Sequence, residues 1–276
     1  MLQLAGQNVQ GIGVGGINTC IELPGYSLCF DIGRAPTTAT RLPRVLFSHA
    51  HSDHMGGVVH HCAGRDMMNM SPPEYVMPAD AVPAFRDMLD AWRRLDRSPM
   101  PCTVVGVRPG DAVPIKPGVV ARAFQALHRV PSVGYALCRQ RAKLRAEHVG
   151  RSGTELAHLR ARGERLTEEI EQVEVAYCGD TLIEVVDREP LVRAARLLIL
   201  EVTFLDDRVS VASARSMGHV HLDEVLEREH LFADNEAILF THISSRYGVA
   251  EARRILAERL PPSLRAKVHT LIGEPA

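Results

Sequence analysis

The sequence of 276 residues has no CxxC cysteine pair and no long apolar run, and only 5% of its residues are aromatic. Its six cysteines lie far apart, which excludes cysteine-based zinc fingers and thioredoxin-type sites and gives no disulfide framework. The most apolar run, residues 197–200, is far shorter than the roughly 20 residues of a membrane span. We therefore expect no membrane partner.

The net charge is also close to zero, because the sequence has 32 Lys and Arg and 33 Asp and Glu, for a formal charge of -1. Any nucleic-acid-binding surface must then be a local patch. No Lys or Arg precedes Arg34, so the charged n-region of a secretory signal is missing and we expect a cytoplasmic protein. The length and the 46% hydrophobic content favour one large domain over residues 1–276.

Short runs rich in Val, Ile, Leu and Phe alternate with Gly and Pro and with a few helical patterns. This is typical of an α/β fold in which helices cover sheets. The apolar runs predict strands at residues 19–23, 26–30, 44–47, 104–107, 119–126, 174–177, 196–200, 237–240 and 267–271. Helical periodicity predicts helices at residues 79–95, 222–231 and 250–260.

Residues 139–165 differ from the rest in composition, with eight basic against three acidic residues, a local balance of +5. Three glycines interrupt the segment, so it is predicted to leave the core and to contain one or two small helices. A solvated pair of charged helices is the simpler interpretation. A surface that binds RNA phosphates is the alternative.

The strongest chemical signal is SHAHSDHMGG at residues 48–57, which places His49, His51, Asp53 and His54 within six residues. In an extended segment His49 and His51 point to the same side and can reach one metal ion. Asp53 and His54 follow a turn and would serve a second ion. Imidazole and carboxylate ligands without a thiolate suit zinc, with manganese or iron as alternatives.

Further ligand-type residues follow apolar strands elsewhere in the chain, namely His128, Asp180 and His242. Glu201 and Asp31 end strands in the same way. Strands that deliver such residues at one edge converge on the rim of the sheets, where loops carry function. Together with the cluster at residues 49–54, His128, Asp180 and His242 predict a site for two metal ions.

These residues resemble the metallo-β-lactamase superfamily, whose motif is HxHxDH, and within it the tRNase Z family of endoribonucleases. The closer resemblance covers nearly the whole chain and rests on HRVPSVGY (128–135), GDT (179–181), EVTFLDD (201–207), GHVH (218–221) and HISSRY (242–247). It implies an αββα sandwich, two β-sheets flanked by helices, with a short protruding basic arm. Residues 139–172 are similar to the arm of plant-type short forms, which implies an inserted exosite for tRNA.

The resemblance also implies a ligand set and a reaction. The implied ligands of two zinc ions are His49, His51 and His128 for one ion, Asp53, His54 and His242 for the other, and Asp180 between them. A hydroxide held by both ions would cut the 3′ trailer from precursor tRNA, and Asp53 would also orient it. His219, kept protonated by Glu201, would be the general acid.

Four residues are predicted to contact the substrate, Arg246, Tyr247, Ser132 and Tyr135. Arg246 follows the ligand His242 closely and is placed to clamp a phosphate. Ser132 and Tyr135 are expected to shape their loop first and to touch substrate second. The resemblance further implies a homodimer in which the arm of one subunit grips tRNA for the site of the other.

Two other functions stay open on the sequence alone. The same dinuclear site could take a small phosphodiester, thioester or sulfate ester, with the arm as a lid or an interface. A binding or scaffold protein could instead use the metal structurally, although a structural site would be closed to water.

Overall fold

Several strands of the chain are apolar on both faces, as in Leu197–Glu201 and Ala237–Thr241, each of which is buried throughout. A strand buried on both faces needs a covering layer on each side. The computed structural model, which describes residues 1–272, meets this need with two β-sheets packed face to face and helices on both outer faces. The αββα sandwich is confirmed.

The first sheet comes mainly from the N-terminal part of the chain. Its strands are β1 (Leu2–Leu4), β2 (Gln7–Gly15), β3 (Asn18–Leu23), β4 (Leu28–Phe30), β5 (Arg44–Leu46), β6 (Glu74–Pro78), β7 (Thr103–Val107) and β14 (Ile243–Ser244). The order is β1-β2-β3-β4-β5-β6-β7, and β14 pairs with β2. Strands β1 to β4 are antiparallel, and β4 to β7 are parallel.

The second sheet repeats this arrangement. Its strands are β8 (Ala112–Lys116), β9 (Val119–Gln125), β10 (Val133–Leu144), β11 (Thr167–Tyr177), β12 (Leu197–Glu201), β13 (Ala237–Thr241) and β15 (Val268–Thr270). The order is β15-β13-β12-β11-β10-β9-β8. Strands β8 to β11 are again antiparallel, and β11, β12, β13 and β15 are parallel.

The helices cover the outer faces. They are α1 (Ser52–Met55), α2 (Val58–Met67), α3 (Val82–Asp96), α4 (Gly153–Ala161), α5 (Glu184–Arg188), α6 (Pro190–Arg193), α7 (Val211–Met217), α8 (Leu222–Glu227), α9 (Val249–Arg259) and α10 (Pro262–Arg265). Helices α2 and α3 pack on the first sheet, and α5, α6, α8, α9 and α10 pack on the second. None of the helices in this described part of the chain combines the length and apolar character of a membrane crossing.

Three aromatic rings join the sheets in the middle of the sandwich. Phe30 on β4 stacks on Tyr177 of β11 with 4.7 Å between ring centroids, and on Tyr135 of β10 with 6.2 Å. All three side chains are fully buried. The tyrosine hydroxyls donate to the Phe47 carbonyl and to the Asp31 carboxylate, so this layer also supports the edge that follows β4 and β5.

All nine predicted strands are present, and the three predicted helices correspond to α3, α8 and α9. The ends of the strands change little except at β11, which begins at Thr167, seven residues before the predicted start. The predicted helix at residues 222–231 is divided, because α8 ends at Glu227 and a 3-10 turn follows over Glu229–Phe232. Strands β1, β2, β6, β8, β10 and β14 were not predicted. Three glycines dilute the apolar pattern of β2, and charged residues fill the second half of β10.

The segment that was predicted to leave the core is a β-hairpin with one helix at its tip. Strand β10 pairs with β9 only as far as Arg139, but its pairing with β11 continues to Leu144. The tip contains a 3-10 turn, Ala146–His148, and α4, which begins with a capping box between Ser152 and Glu155. The pairs beyond Arg139 therefore extend past the edge of the sheet.

Charge is distributed unevenly along this hairpin, residues 139–172. Glu174 lies at its base, is buried, and accepts from Arg139 at 3.1 Å, Arg141 at 2.9 Å and Arg196 at 2.9 Å. Because β11 adds three glutamates, the whole hairpin has eight basic against six acidic residues, a balance of +2. Within the hairpin, four Lys and Arg side chains have no ion pair to any residue of 1–272, namely Lys143, Arg151, Arg160 and Arg165.

Replacing Phe30 with alanine should lower the free energy of unfolding by about 3–5 kcal/mol, because the cavity would lie between two sheets that cannot close over it. Denaturant titration measures the change. Val149→Ala is the control, since that side chain is 68% exposed and its loss should cost less than about 0.5 kcal/mol. An equally small effect of Phe30→Ala would contradict the role of the aromatic layer.

Candidate metal centre

The predicted ligands meet because several strands end at one edge of the sandwich. Strands β9 and β11 both run antiparallel to β10 and so run in the same direction, and β12 and β13 are parallel to β11. His128 follows β9, Asp180 follows β11, and His242 follows β13. The loop after β5 and the single turn of α1 bring the residues of the HxHxDH motif to the same edge from the first sheet.

Three histidines form the first group. The Nε2 atom of His49 lies 2.9 Å from Nδ1 of His51, and Nε2 of His128 lies 3.4 Å from that same Nδ1. Nitrogen ligands that share a tetrahedral zinc ion at the usual bond length lie about 3.3 Å apart. The three imidazoles are therefore placed to bind one ion.

Asp53, His54 and His242 form the second group. The Oδ2 atom of Asp53 lies 3.3 Å from Nε2 of His242 and 3.6 Å from Nε2 of His54. The ligand atoms of the group all lie within 4.8 Å of one another. The backbone amide of Gly16 donates to the same Asp53 oxygen at 2.9 Å and fixes its position.

Asp180 lies between the groups. Its Oδ2 is 3.8 Å from Nε2 of His49 and 3.3 Å from Nε2 of His242, while its Oδ1 is 3.3 Å from Nε2 of His54. One carboxylate thus faces members of both groups. This is the geometry that a bridging ligand needs.

The arrangement fits metal ions because it leaves buried polar atoms unsatisfied. Nε2 of His54 and Oδ1 of Asp180 have no hydrogen-bond partner among residues 1–272. Burial lowers the pKa of His49, His51 and His128 and keeps these imidazoles neutral. Neutral imidazoles and buried carboxylates that converge without partners are the donor set for divalent metal ions.

Hydrogen bonds set the tautomer of two further ligand rings. The Thr203 hydroxyl donates to Glu201 at 2.6 Å, so Nδ1 of His242 must be the donor in its 2.9 Å contact with Thr203. Nδ1 of His128 donates to the Gly218 carbonyl at 2.8 Å. In both rings the lone pair is then on Nε2, which faces the cluster.

Asp31 supports the motif from below, and no site role was predicted for it. It is fully buried, and it accepts from the backbone and the hydroxyl of Ser48, each at 2.7 Å, from Tyr177, and from Nδ1 of His54 at 2.8 Å. Burial opposes protonation of His54, but the carboxylates of Asp180 and Asp31 outweigh it and raise the pKa of this histidine. The position of Asp31 after an apolar strand was the signal available in the sequence.

His219 and Glu201 lie beside the cluster. Nδ1 of His219 donates to Oε1 of Glu201 at 2.9 Å, and the His219 side chain is 15% exposed. Burial lowers the pKa of His219, but the Glu201 carboxylate outweighs it and raises the pKa to about 9. Glu201 is itself held by the backbone amides of Thr181 and Thr203.

Gly218 explains how His219 can lie so close to the ligands. Its φ of +83° favours glycine, and a Cβ atom there would lie 2.7 Å from Nδ1 of His128. The glycine ends α7, turns the chain toward the cluster and offers its carbonyl to His128.

Of the four predicted substrate contacts, only Arg246 is exposed at the rim, with its guanidinium 5.7 Å from the ring centroid of Phe204. The prediction is wrong for Tyr135 and Tyr247, because both are buried. The Tyr135 hydroxyl donates to Phe47, and the Tyr247 hydroxyl accepts from Leu205 and donates to Asp206.

Ser132 is also buried, and its hydroxyl donates to the Val130 carbonyl at 2.9 Å. It shapes its own loop, so the expected direct contact with substrate does not hold for this residue. Its neighbour Val133 donates from its backbone amide to the Ser48 carbonyl at 2.9 Å. The loop that carries Ser132 is thereby attached to the residue before His49.

Known proteins are similar to this chain over most of its length. The β-lactamase superfamily domain matches residues 29–243. Over 272 residues the chain is 36% identical to tRNase Z TRZ1 of Arabidopsis thaliana, covering 98% of this chain and 96% of that protein. The chain belongs to the tRNase Z family. It is also 30% identical to the chloroplastic tRNase Z TRZ2 of the same plant, across 97% of this chain and 75% of that one.

Solved structures share the fold of this family member. The short form of human tRNase Z superposes with a TM-score of 0.61 at 18% identity and covers 97% of this chain and 99% of that chain. The metallo-β-lactamase fold protein YhfI of Bacillus subtilis also gives a TM-score of 0.61, at 15% identity, with 95% and 94% of the two chains covered. These identities are low, so the two likenesses concern architecture.

Asp180→Ala should reduce bound metal in both groups, because this carboxylate is the side chain that faces the two of them. Metal content per chain by inductively coupled plasma mass spectrometry measures the loss. Asp80→Ala is the control, since its side chain is 71% exposed and pairs only with an exposed arginine. Unchanged metal content in Asp180→Ala would rule out a bridging role.

Proposed function

We propose that this member of the tRNase Z family is a metal-dependent endoribonuclease that removes the 3′ trailer from precursor tRNA. The observation that carries the proposal is the match to a curated tRNase Z along nearly its full length, in a chain whose seven candidate ligands meet at one edge. We further propose that the chain is one domain and that residues 139–172 are an inserted tRNA-binding exosite.

Two zinc ions are the proposed cofactors, with Mn²⁺ or Fe²⁺ as alternatives for the same nitrogen and oxygen donors. His49, His51 and His128 would hold one ion, Asp53, His54 and His242 the other, and Asp180 both. Such ions activate water and neutralise charge on phosphoryl oxygens when they are bound. The protein contributes neutral rings of fixed tautomer and one carboxylate between the groups.

Asp53 is proposed to orient the attacking water in addition to binding metal. Its side chain is 12% exposed, whereas those of His54 and Asp180 are buried, so it is the carboxylate of the cluster nearest to solvent. The Gly16 amide and His242 hold it in place. A fixed acceptor at this position can receive a hydrogen bond from water and direct its lone pair toward phosphorus.

His219 is proposed as the general acid. Glu201 accepts a hydrogen bond from Nδ1 of His219, so the proton on Nε2 is the one available to a leaving ribose 3′-oxygen. Glu201 thus positions the ring and favours its protonated form. Arg246, exposed and without an ion pair among the residues described, is proposed to bind a phosphate near the cut.

A homodimer is proposed as the working form. Helix α3 has three exposed apolar side chains on one face, Met88, Trp92 and Leu95, with 39%, 45% and 77% exposed, and Met67 at the end of α2 is 77% exposed. Apolar side chains in such a group are typical of a protein interface. Pairing would let the arm of one subunit reach the site of the other. The cytoplasmic location stays a prediction.

Cleavage of an end-labelled precursor tRNA by zinc-loaded protein, with a chelated control, tests the proposed function. A single metal-dependent cut at the base of the 3′ trailer is expected. No cut, combined with hydrolysis of a small phosphodiester, would favour the small-substrate alternative.

His219→Ala should keep its metal and should cleave precursor tRNA at least about 100-fold more slowly, because a positioned general acid contributes about that factor or more. Single-turnover cleavage together with metal analysis measures both properties. His60→Ala, an exposed histidine on α2, is the matched control and should be unchanged. Full activity in His219→Ala would remove the residue from the mechanism.

Removing the arm should abolish tRNA cleavage and spare small phosphodiesters. Arg139 lies opposite Gln172 in the hairpin, so an Asn-Gly turn can replace residues 140–171 without disturbing the strands that remain. Rates on precursor tRNA and on an activated phosphodiester measure the selectivity. Equal loss of both activities would make the arm a structural element.

Co-expression of the armless chain with His219→Ala tests the dimer in the same assay. One subunit then offers an intact site and its partner an intact arm, so tRNA cleavage should return in the mixed dimer. Failure to recover, in a mixed dimer verified by differential tags, would contradict action between subunits.

A further inference from the structure

Two cysteines meet in the outer layer of the first sheet, away from the edge that carries the metal ligands. Cys62 lies on α2 and is fully buried, and Cys102 precedes β7 and is partly exposed. The Cys62 thiol donates to the carbonyl of Pro101, the residue before Cys102, at 3.7 Å, and each of the two thiols is the largest influence on the pKa of the other.

An arginine is held against the partly exposed sulfur. Nη2 of Arg93, on α3, donates to Sγ of Cys102 at 3.8 Å. The guanidinium is fixed by Asp90 at 2.8 Å and by the carbonyls of Pro99 and Met100 at 3.0 and 2.8 Å. The positive charge therefore cannot easily move away from the thiol.

Cys102 is also accessible. It lines a surface cavity of about 200 Å³ together with Arg86, Asp90 and Arg93. A cavity of this size admits a small oxidant. Cysteines that react with oxidants are typically accessible, close to a cationic side chain and next to a second thiol.

We propose that Cys102 and Cys62 form a peroxide-sensitive dithiol, in which Cys102 is oxidised first and Cys62 converts it to a disulfide. The Cys102 thiolate attacks one oxygen of hydrogen peroxide, the O–O bond breaks, and sulfenic acid and, after proton transfer, water are formed. The Cys62 sulfur then attacks the sulfenic sulfur, the S–O bond breaks, and the departing hydroxyl takes the proton of the Cys62 thiol and leaves as a second water. Two thiols are oxidised by two electrons and one peroxide is reduced.

The electrostatics agree with these roles. The neighbouring Cys62 thiol lowers the pKa of Cys102, burial opposes this, and Arg93 lowers it further, to about 7. The neighbouring Cys102 and burial raise the pKa of Cys62, which keeps that thiol protonated. Cys102 is thus the nucleophile and Cys62 the resolving thiol.

The chain contains its own negative control. Cys20 on β3 and Cys29 on β4 are also neighbours, but both are fully buried. Cys29 and burial raise the pKa of Cys20, so this thiol stays protonated. This second pair should be inert. The comparison separates the effect of accessibility and Arg93 from the mere proximity of two thiols.

The consequence of oxidation would be a covalent link between α2 and the segment that enters β7. Helix α2 starts four residues after His54, so the link would join the layer behind the HxHxDH motif to the neighbouring strand. The proposal does not depend on the proposed function, because its readouts are thiol chemistry and mass.

The test is brief treatment of the zinc-loaded protein with hydrogen peroxide, alkylation of remaining thiols, and peptide mass mapping. We expect a Cys62–Cys102 disulfide that a phosphine reductant reverses, with Cys20 and Cys29 still alkylated after denaturation. In Cys62→Ser, a dimedone adduct should accumulate on Cys102. In Cys102→Ser, the Cys62 thiol should stay reduced.

Alkylation rates give a second readout. At pH 7 Cys102 should react with iodoacetamide about tenfold faster than the same cysteine in denatured protein, and Arg93→Met should remove most of this difference while Arg93→Lys retains part of it. Oxidation of Cys102 no faster than that of Cys20, or oxidation without a disulfide to Cys62, would overturn the proposal.

Discussion

Buried negative charge at the junction of the two sheets is the constraint on which the site depends. Asp31, Asp180 and Glu201 are almost completely removed from solvent, and a buried carboxylate is stable only when it is paired. Hydrogen bonds from hydroxyls, amides and two imidazoles satisfy Asp31 and Glu201. Oδ1 of Asp180 has no hydrogen-bond partner among the described residues, and a bound cation would complete the balance of charge.

The other features of the edge follow from this charge. The aromatic layer of Phe30 and Tyr177 closes the space beneath the ligands and delivers a hydroxyl to Asp31. Hydrogen bonds to Gly218 and Thr203 fix the proton of His128 and His242 on Nδ1, and the Nε2 atoms of these two rings face the cluster. Ligand geometry is therefore a property of the sandwich as a whole and not of the HxHxDH loop alone.

The sequence predicted the structure best where a strand-like apolar run is followed directly by a residue that can bind metal. Strands such as β12 and β13 are continuous apolar runs, and the ligand-type residues directly after them could be predicted to share an edge. Strand β2 was not found because its glycines remove the side chains on which a pattern depends. Strand β10 was not found because half of it belongs to the arm, where no core demands apolar residues.

The wrong assignments at the site have a similar cause. Tyr135 belongs to a motif, but along β10 it alternates in step with Val133 and Leu137, and this period of two places it among the core side chains. Tyr247 was assigned from its neighbour Arg246, yet adjacent residues need not face the same way. The orienting role of Asp31 depends on contacts with Tyr177, 146 residues away, which no local pattern reveals.

The hairpin register carries an evolutionary consequence. Beyond Arg139 the two arm strands pair only with each other, while Glu174 ties their base to the sheet. Residue pairs can therefore be gained or lost at the distal end without changing any contact in the catalytic sandwich, provided both strands change together. A single unpaired insertion would instead turn every following side chain to the opposite face. The length of the arm can thus diversify among relatives in paired steps while the ligand cluster stays unchanged.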